Sequence, residues 1–324
     1  MPEYDFDVLV IGGVGVDTIV RVDELAVPPG DSVHVPPIRD YVAHTGNGAA
    51  LGALALGLRT KFIDYLGEDE QGELILRQYA VQGLDFSSLP APAGTPRSVN
   101  LVDRAGRRFS FYDGRHPADL RMPPEFALPY VERSRHVHLS ICHYSVDLFD
   151  GIERLGRTVS TDLHAWDGVD PHRHPFAHRA DLVFLSAAHL KADGALAPVL
   201  HGVLEHGRAK LVVATDGGDG CHLLARGDRA VRHFPAVAPL PGRGIVDSNG
   251  AGDAFVTGFL HAWFAAADAG TDPDLEQCVR SGQISGAYAC GTAGTHTSFI
   301  DAATLTAAVR AAASGPASLP SPSR

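Results

Sequence analysis

Short apolar runs alternate with longer segments of helical periodicity along most of the chain. The runs have the length and composition of buried strands, and they cover residues 8–11, 61–66, 137–141, 158–163, 182–185 and 211–214. The longer segments predict helices, and they cover residues 48–58, 72–82, 195–205, 254–267 and 275–290. Strands separated by helices predict a parallel sheet with helices on both faces. The expected fold class is therefore α/β.

Three further segments predict a second, smaller sheet. Residues 16–22 alternate apolar and polar positions, and residues 99–102 and 108–112 predict a hairpin. The hairpin carries three aromatic residues, Phe109, Phe111 and Tyr112. We expect them to pack within the small sheet, and contact of one of them with a ligand is the alternative.

The composition is that of a folded protein that does not bind nucleic acid. Of the 324 residues, 45% are hydrophobic and 20% are charged, which is enough apolar material to fill a core. The net charge of −11 repels the phosphate groups of nucleic acids. The serine- and proline-rich residues 314–324 predict a disordered tail after a single domain of residues 1–313.

The sequence has neither a membrane-spanning nor a secretory pattern. No stretch approaches 18 uninterrupted apolar residues, and the first residues lack the basic region of a signal peptide. The four cysteines are scattered without C-x-x-C spacing, at Cys142, Cys221, Cys278 and Cys290. Reduced thiols and a cytoplasmic location, with no membrane partner, are the expectation.

A glycine-rich turn leads directly into the apolar helix predicted from residue 254. Unpaired N–H groups at a helix start and the helix dipole both favour an anion, so the backbone of residues 250–253 predicts an anion site. Asp253 places a carboxylate beside it, which repels the anion unless it accepts a proton from a nucleophile that attacks phosphorus. The alternative is that Asp253 only caps the helix.

The turn resembles a family signature. Residues 247–253 read D-S-N-G-A-G-D, which is similar to the D-[TS]-x-G-A-G-D signature of the PfkB, or ribokinase-like, carbohydrate kinases. Similar motifs follow the family order: G-G-V-G-V-D at 12–17, G-N-G-A-A at 46–50, G-E-D-E-Q-G at 67–72 and T-D-G-G-D-G at 215–220. The resemblance extends from about residue 8 to residue 309.

The resemblance implies a Rossmann-like, three-layer αβα core of the ribokinase type with a small β-sheet lid, built from about residues 16–42 and 96–115. It implies an ATP-dependent kinase that uses Mg²⁺ and transfers the γ-phosphoryl group to a hydroxyl of a small sugar, as ribokinase and fructokinase do. A nucleoside kinase of the same fold and a non-catalytic sugar or nucleotide sensor are the alternatives. An exposed lid edge also predicts a homodimer through the lid.

The resemblance assigns roles to individual residues. Asp253 would be the general base, and the N–H groups of Gly250, Ala251 and Gly252 would form the anion hole. The residues implied to face the acceptor are Asp17, Gly46 and Asn47, and those implied to face the nucleotide are Ser186, Thr215, Gly217 and Gly220. Many members also use a monovalent cation such as K⁺, and its ligands here would be Asp247, Asn249, Ala289, Thr292, Gly294 and Ser298.

The sequence departs from the family pattern in two places. The sugar loop has Thr45 in place of the first family glycine and Ala50 in place of the family asparagine, and Asn47 is the candidate substitute for the lost amide. The family motif N-x-x-E reads S-A-A-H at residues 186–189, and histidine is a poor ligand for Mg²⁺. These departures leave open which sugar or nucleoside is phosphorylated, and on which hydroxyl.

Three other features have competing interpretations. The glycines at 12–15 do not complete a dinucleotide fingerprint, because Thr18 stands where the last glycine belongs. Four histidines in a loop-like segment predict a solvated surface, with a transition-metal site as the alternative: His164, His172, His174 and His178. Asp162 and Trp166 follow a strand end, where α/β sheets place ligands, and a structural role is the alternative.

Overall fold

The computed structural model describes residues 4–27, 30–104, 106–191 and 194–314. The strands are β1 (Phe6–Ile11), β2 (Gly15–Arg21), β3 (Arg39–Ala43), β4 (Thr60–Leu66), β5 (Asp85–Pro90), β6 (Arg97–Val102), β7 (Arg108–Asp113), β8 (Ser134–Leu139), β9 (Thr158–Asp162), β10 (Leu182–Ser186), β11 (Leu211–Thr215), β12 (Cys221–Ala225) and β13 (Arg232–Phe234). The α-helices are α1 (Thr45–Ala55), α2 (Glu70–Gln82), α3 (Pro124–Glu132), α4 (Phe149–Arg154), α5 (His174–Arg179), α6 (Leu196–His206), α7 (Ala251–Asp268), α8 (Leu275–Ala289) and α9 (Ala302–Ser314). Short 3₁₀ segments lie at His143–Leu148, Pro171–Arg173 and Gly217–Asp219.

The main sheet has nine strands in the order β13-β12-β11-β10-β9-β8-β1-β4-β5. The strands from β11 to β5 are parallel, while β12 and β13 are antiparallel at one edge. The interior strand β1 is apolar because both faces of the sheet are covered, and Leu9, Val10 and Ile11 are fully buried. The parallel strands end at one edge of the sheet, so the loops that follow them gather there.

Helices cover both faces of this sheet. One apolar core, which includes Ile75 and Phe255, lies between the sheet and helices α1, α2, α7 and α8. The other core, which includes Phe149 and Phe176, lies between the sheet and helices α3 to α6. This is the predicted three-layer αβα arrangement. Within the described ranges no helix combines the length and apolar character needed to cross a membrane.

The second sheet, in the order β3-β2-β6-β7, forms the predicted lid. The ring of Tyr112 on β7 lies 5.6 Å from that of His44, on the side of the main sheet. Phe109 and Phe111 alternate with Tyr112 along the strand and therefore lie on the opposite face, where they are 54% and 58% exposed. The lid thus has an apolar face toward solvent, and Tyr112 on the other face of β7 is itself 67% exposed.

Most predicted elements are present, with shifted ends. The helix predicted over 48–58 begins earlier, at Thr45, so that the sugar loop is the first turn of α1. The helix predicted over 254–267 begins at Ala251. The difference arises because the glycines in these segments allow close helix packing and do not interrupt the helices. The pattern did not reveal β3, β5, β12, β13, α3, α4, α5 and α9.

The chain end also differs from the prediction. Ser314, assigned to the tail, is the last residue of α9. Residues 315–324 of the predicted tail lie outside the described residues. The single domain of residues 1–313 remains a prediction.

Candidate active site

The turn before α7 presents free backbone N–H groups at the start of an 18-residue helix. Gly250 is the N-cap, and its φ of 80° lies in the left-handed region that glycine adopts without strain. The Ala251 N–H donates to Ser248 O at 3.3 Å. The N–H groups of Gly250, Gly252 and Asp253 have no acceptor in the part of the chain that is described. This is the geometry of an anion site.

Asp253 is the third residue of α7 and does not cap it. No side chain caps this helix. The Asp253 Oδ2 lies 2.7 Å from Nε2 of His296, and the side chain of Asp253 is 12% exposed. Its Oδ1 has no hydrogen-bond partner among the described residues. A carboxylate with one anchored and one free oxygen, beside free N–H groups, can take a proton from a hydroxyl placed there.

Asp17 of β2 and His44 lie on the lid side of the site. Asp17 is buried, and its Oδ1 approaches His44 Nε2 at 3.4 Å without a hydrogen-bond partner in the described ranges. Burial raises the pKa of Asp17, but the nearby His44 and Ser98 outweigh this effect and hold the pKa below its usual value. His44 is the N-cap residue of α1, and Asn47 in the first turn of the same helix contacts His296 at 3.0 Å, so Asp17 and the Asp253–His296 pair lie in one neighbourhood. Asp17 is therefore an ionised acceptor for a hydroxyl group.

Gly46 and Asn47 lie in the first turn of α1, directly after His44. A Cβ atom on Gly46 would lie 1.9 Å from the carbonyl oxygen of Gly12, so only glycine fits there. Asn47 is fully buried, and its amide hydrogen-bonds to three residues, Val42, Tyr79 and His296. Because those bonds use both ends of the amide, this arrangement does not place Asn47 in contact with an acceptor.

A cavity of about 410 Å³ lies between the turn after β11 and the helices α7 and α8. Thr215, Gly217 and Gly220 line one side of it, and Ala251 and Gly252 line the other. The structure therefore brings the predicted nucleotide loop and the anion site together in one cavity. A nucleotide lying in the cavity would direct its terminal phosphate to the start of α7.

Ser186 and Asp162 end the neighbouring strands β10 and β9. Ser186 does not line the cavity, and its hydroxyl accepts a hydrogen bond from the backbone N–H two residues later at 3.3 Å. The Asp162 Oδ2 lies 3.8 Å from the position of a Cβ on Gly252. Burial lowers the pKa of His138 to about 4, and the charges of Asp162 and Asp253 both oppose this shift. Asp162 thus adds a second carboxylate beside the anion site.

Comparison with known proteins decides the family. The model of the pfkB family of carbohydrate kinases matches residues 174–302. Acarbose 7(IV)-phosphotransferase from Actinoplanes sp. is 46% identical over 300 residues, which is 92% of this chain and 97% of that relative. The chain belongs to the PfkB family.

Solved structures agree with this PfkB assignment. The microbiome-derived acarbose kinase Mak1 is 44% identical, with a TM-score of 0.86 over 94% of this chain and 99% of that one. Ribokinase from Giardia lamblia is 15% identical and shares the fold, with a TM-score of 0.80 over 95% of this chain and 99% of that one. The predicted ribokinase-like fold and the enzyme class, a carbohydrate kinase phosphotransferase, are confirmed. The family implies ATP as the phosphoryl donor.

The six residues expected to hold a monovalent cation in this PfkB kinase lie on the loop before α7, at the end of α8 and on the loop that follows α8. The carboxylate of Asp247 is the only one among them, and it already has partners. The Asp247 Oδ1 accepts hydrogen bonds from the N–H and the side-chain amide of Asn249, at 3.1 and 2.8 Å. Its Oδ2 accepts from Arg21 at 2.7 Å and from the Gly294 N–H at 3.1 Å. Of the six, only Thr292 has a buried side-chain oxygen without a partner among the described residues. In this arrangement the set does not fit a monovalent cation, because Arg21 already neutralises Asp247.

The four histidines that offered a transition-metal alternative do not converge. His174 and His178 stack with ring centroids 5.4 Å apart, and His174 Nε2 lies 3.2 Å from the carbonyl oxygen of Gly168. No group of three or more potential ligand side chains is placed for a metal ion in the described ranges. Trp166 is buried and donates to Asp170 O at 3.2 Å, which is a structural role.

Three contacts of the site were not predicted from sequence. His296 binds Asp253, His44 approaches Asp17, and Arg21 binds Asp247. The partner residues His296, His44 and Arg21 do not belong to a motif that the sequence singles out for its chemistry. Each lies far along the chain from its partner, so no local spacing could reveal the pair.

Proposed function

We propose that this PfkB kinase transfers the γ-phosphoryl group of ATP to a sugar hydroxyl held between Asp17 and Asp253. The free Oδ1 of Asp253, beside the free N–H groups of Gly250 and Gly252, is the observation that supports it most. Asp253 takes the hydroxyl proton as the sugar oxygen bonds to the γ-phosphorus and the bond to the ADP oxygen breaks. The N–H groups hold the negative charge of the group in transfer.

Mg²⁺ is the expected metal of the reaction, and Asp162 is the residue that fits it. Asp162 offers a carboxylate oxygen near Gly252, and Mg²⁺ prefers oxygen ligands from one or two carboxylates together with substrate phosphates. When bound, the metal neutralises phosphate charge. Asp162 thereby takes over part of the role of the family motif that reads S-A-A-H in this chain.

We propose acarbose, or a closely similar sugar, as the acceptor. The two relatives at 46% and 44% identity are both named for acarbose. The family asparagine is Ala50 here and the amide of Asn47 is engaged inside the protein, which leaves Asp17, His44 and Ser98 as the polar groups on the acceptor side. Without an amide to bind the sugar hydroxyls, the site favours a sugar other than ribose.

The experiment is an acceptor panel with ATP and Mg²⁺, scored by ADP release. Acarbose should show the highest kcat/KM, ahead of fructose and ribose, and adenosine and cytidine should give no release above background. A nucleoside that exceeds every sugar would replace the proposal with a nucleoside kinase. Binding of acarbose without ADP release would indicate a sensor. The Asp253→Asn variant, prepared in parallel, controls for contaminating ATPase.

We also propose a cytoplasmic homodimer that pairs through the lid. The solvent-facing side of the lid carries three exposed apolar residues, Val99, Phe109 and Phe111. Contiguous apolar surface of this kind marks a protein contact. ATP and reduced thiols are both found in the cytoplasm, and the four cysteines are free.

A further inference from the structure

His296 is enclosed between the general base and the core. Its Nε2 lies 2.7 Å from Oδ2 of Asp253, and its Nδ1 lies 3.0 Å from Nδ2 of Asn47. The His296 side chain is 2% exposed, so neither nitrogen has water as a substitute partner. Both ring nitrogens are therefore committed to protein groups, and the proton on the ring has a defined place.

The orientation of the Asn47 amide determines where that proton lies. Nδ2 of Asn47 donates to the carbonyl oxygen of Val42 at 3.1 Å, and Oδ1 accepts from the hydroxyl of Tyr79 at 2.8 Å. The reverse orientation would set the amide oxygen against the Val42 carbonyl, and two acceptors repel each other. The second hydrogen of Nδ2 then points to His296.

Nδ1 of His296 is consequently an acceptor and carries no proton. A neutral imidazole with an unprotonated Nδ1 carries its hydrogen on Nε2, which donates to Asp253. A second proton on the ring would face the amide hydrogens of Asn47. The network thus excludes both the other tautomer and the cation, and His296 cannot receive the proton that Asp253 takes up.

Packing holds the ring in this place. A Cβ on Gly48 would lie 2.3 Å from Nε2 of His296, and a Cβ on Gly250 would lie 2.6 Å from its Cδ2. The ring stacks on Phe299 with an interplanar angle of 19°. The backbone of His296 has φ of 54°, a left-handed conformation that costs energy for a residue other than glycine and is held by its surroundings. Gly48 and Gly250 therefore leave just enough space for the imidazole of His296, and its left-handed backbone directs the ring into that space.

We infer that His296 is a positioning residue for the phosphoryl transfer, with its Nε2 hydrogen holding one oxygen of Asp253 so that the other faces the acceptor hydroxyl. The inference rests on the proposed role of Asp253 as general base. Asn47 and Tyr79 extend the same function, because they set the tautomer of His296 from inside the core. The asparagine that the family has at the position of Ala50 is therefore not directly replaced in this chain. The amide of Asn47, one turn earlier, instead fixes the ring of His296, which holds Asp253.

The first test is spectroscopic and independent of activity. Nitrogen NMR of the enzyme labelled in its histidine rings, compared with the same spectrum of His296→Gln, isolates the signals of His296 from those of the other 16 of the 17 histidines. We expect a protonated Nε2 and an unprotonated Nδ1 near neutral pH. A protonated Nδ1, in the neutral ring or in the cation, overturns the inference.

The second test compares two replacements with a control. His296→Ala should lower kcat about 10- to 100-fold, the range expected for a lost hydrogen bond to a charged group, with the KM for ATP nearly unchanged. His296→Gln restores an N–H donor at a similar reach and should recover most of the loss. The control His206→Gln replaces an exposed histidine that bonds only to its own helix, and should leave kcat unchanged.

The outcomes separate this inference from the proposed function. If Asp253→Asn abolishes turnover while His296→Ala keeps full kcat with a normal thermal midpoint, the positioning role is wrong and the general base stands. If Asp253→Asn keeps full turnover, the general base and the positioning role both fail. If His296→Ala does not fold, His296→Gln and the NMR spectrum of the natural enzyme decide.

Discussion

Arg21 of the lid and Asp247 of the anion-site loop form an ion pair, with Nη2 of Arg21 2.7 Å from Oδ2 of Asp247. The two residues are 226 positions apart. Arg108 of the lid donates a hydrogen bond to the side-chain oxygen of Asn249. The lid is therefore tied to the anion-site loop by one ion pair and one hydrogen bond. Arg21 thus supplies beside Asp247 the positive charge that the family resemblance assigned to a bound cation.

Replacing Arg21 should impair the enzyme through this loop. Arg21→Met leaves the buried Asp247 carboxylate without its partner, and we expect kcat/KM to fall about tenfold, less than for a fully buried pair because Arg21 is partly exposed. The natural enzyme should be equally active in potassium and in choline chloride. Steady-state kinetics in both salts measure this. The control is Arg104→Met, which removes an exposed lid arginine paired with Asp23. Strong activation of the natural enzyme by K⁺ would show that Arg21 does not replace the cation.

Asp253→Asn tests the general base. We expect kcat to fall at least about 100-fold, because asparagine cannot take the hydroxyl proton, while the thermal midpoint stays near that of the natural enzyme. Asp268→Asn, near the end of the same helix and paired with Arg135 on the surface, is the matched control and should retain full activity. Near-normal turnover of Asp253→Asn would exclude Asp253 as the base.

Gly48→Ala should damage catalysis even though alanine favours helices. The added Cβ would lie 2.3 Å from Nε2 of His296 and 2.7 Å from Cβ of Asp253, so the pair must shift. We expect a loss of at least about tenfold in kcat, since small misplacement of catalytic groups is costly. Gly202→Ala on α6 has no heavy atom nearer than 4.0 Å and should keep kcat and gain about 0.5 to 1 kcal/mol of unfolding free energy. Equal kcat for the two variants would contradict the proposed packing.

Stability should fall as the pH drops below about 6.5. Burial lowers the pKa of His136 to about 3 and that of His138 to about 4, from 6.5. Between these values and 6.5 the unfolded chain binds more protons than the folded one, so the free energy of unfolding decreases as the pH falls and is fully retained above 6.5. Burial raises the pKa of Asp64 to about 6, and this carboxyl acts in the opposite direction below pH 6.

Urea unfolding at pH 7.5 and pH 5.5 measures this effect. Burial lowers the pKa of His116 to about 4 as well, so three histidines contribute about 4 kcal/mol over this interval. Asp64 offsets about 1 kcal/mol, and we expect a net loss of about 3 kcal/mol. His136→Gln should remove about a third of the histidine contribution, and the exposed His206→Gln should not change it. Equal unfolding free energies at the two pH values would show that the buried histidines do not govern the acid response.

The exposed lid face should hold two subunits together. Phe111→Lys places a charge in the centre of the face formed with Val99 and Phe109, and we expect the dimer to dissociate at micromolar concentration. Light scattering coupled to size exclusion measures the mass. Val81→Lys, a change at another exposed apolar position, is the control and should leave the mass unchanged. A natural enzyme of monomeric mass would refute the dimer.

The anion site could be predicted because its physical requirements lie in seven consecutive residues. A glycine in the left-handed region, unpaired N–H groups and a carboxylate in the first turn are all local properties of residues 247–253. The alternating strands and helices were predictable for a similar reason, since burial on both faces imposes apolar runs. The starts of α1 and α7 were misplaced because glycine ordinarily interrupts helices. In the structure Gly46 packs against the backbone of Gly12 and Gly250 packs against the ring of His296, and neither contact is visible in the sequence.

The sequence by itself determined the fold class, the PfkB resemblance and the position of the proposed base, since each follows from neighbouring residues. Only the tertiary structure decided what holds that base and its loop in place. His296 is 43 positions from Asp253 and 249 from Asn47, and Arg21 is 226 from Asp247. Hydrogen bonds and ion pairs act over about 3 Å in space, so partners this far apart along the chain become visible only once the sheet and the lid have brought them together.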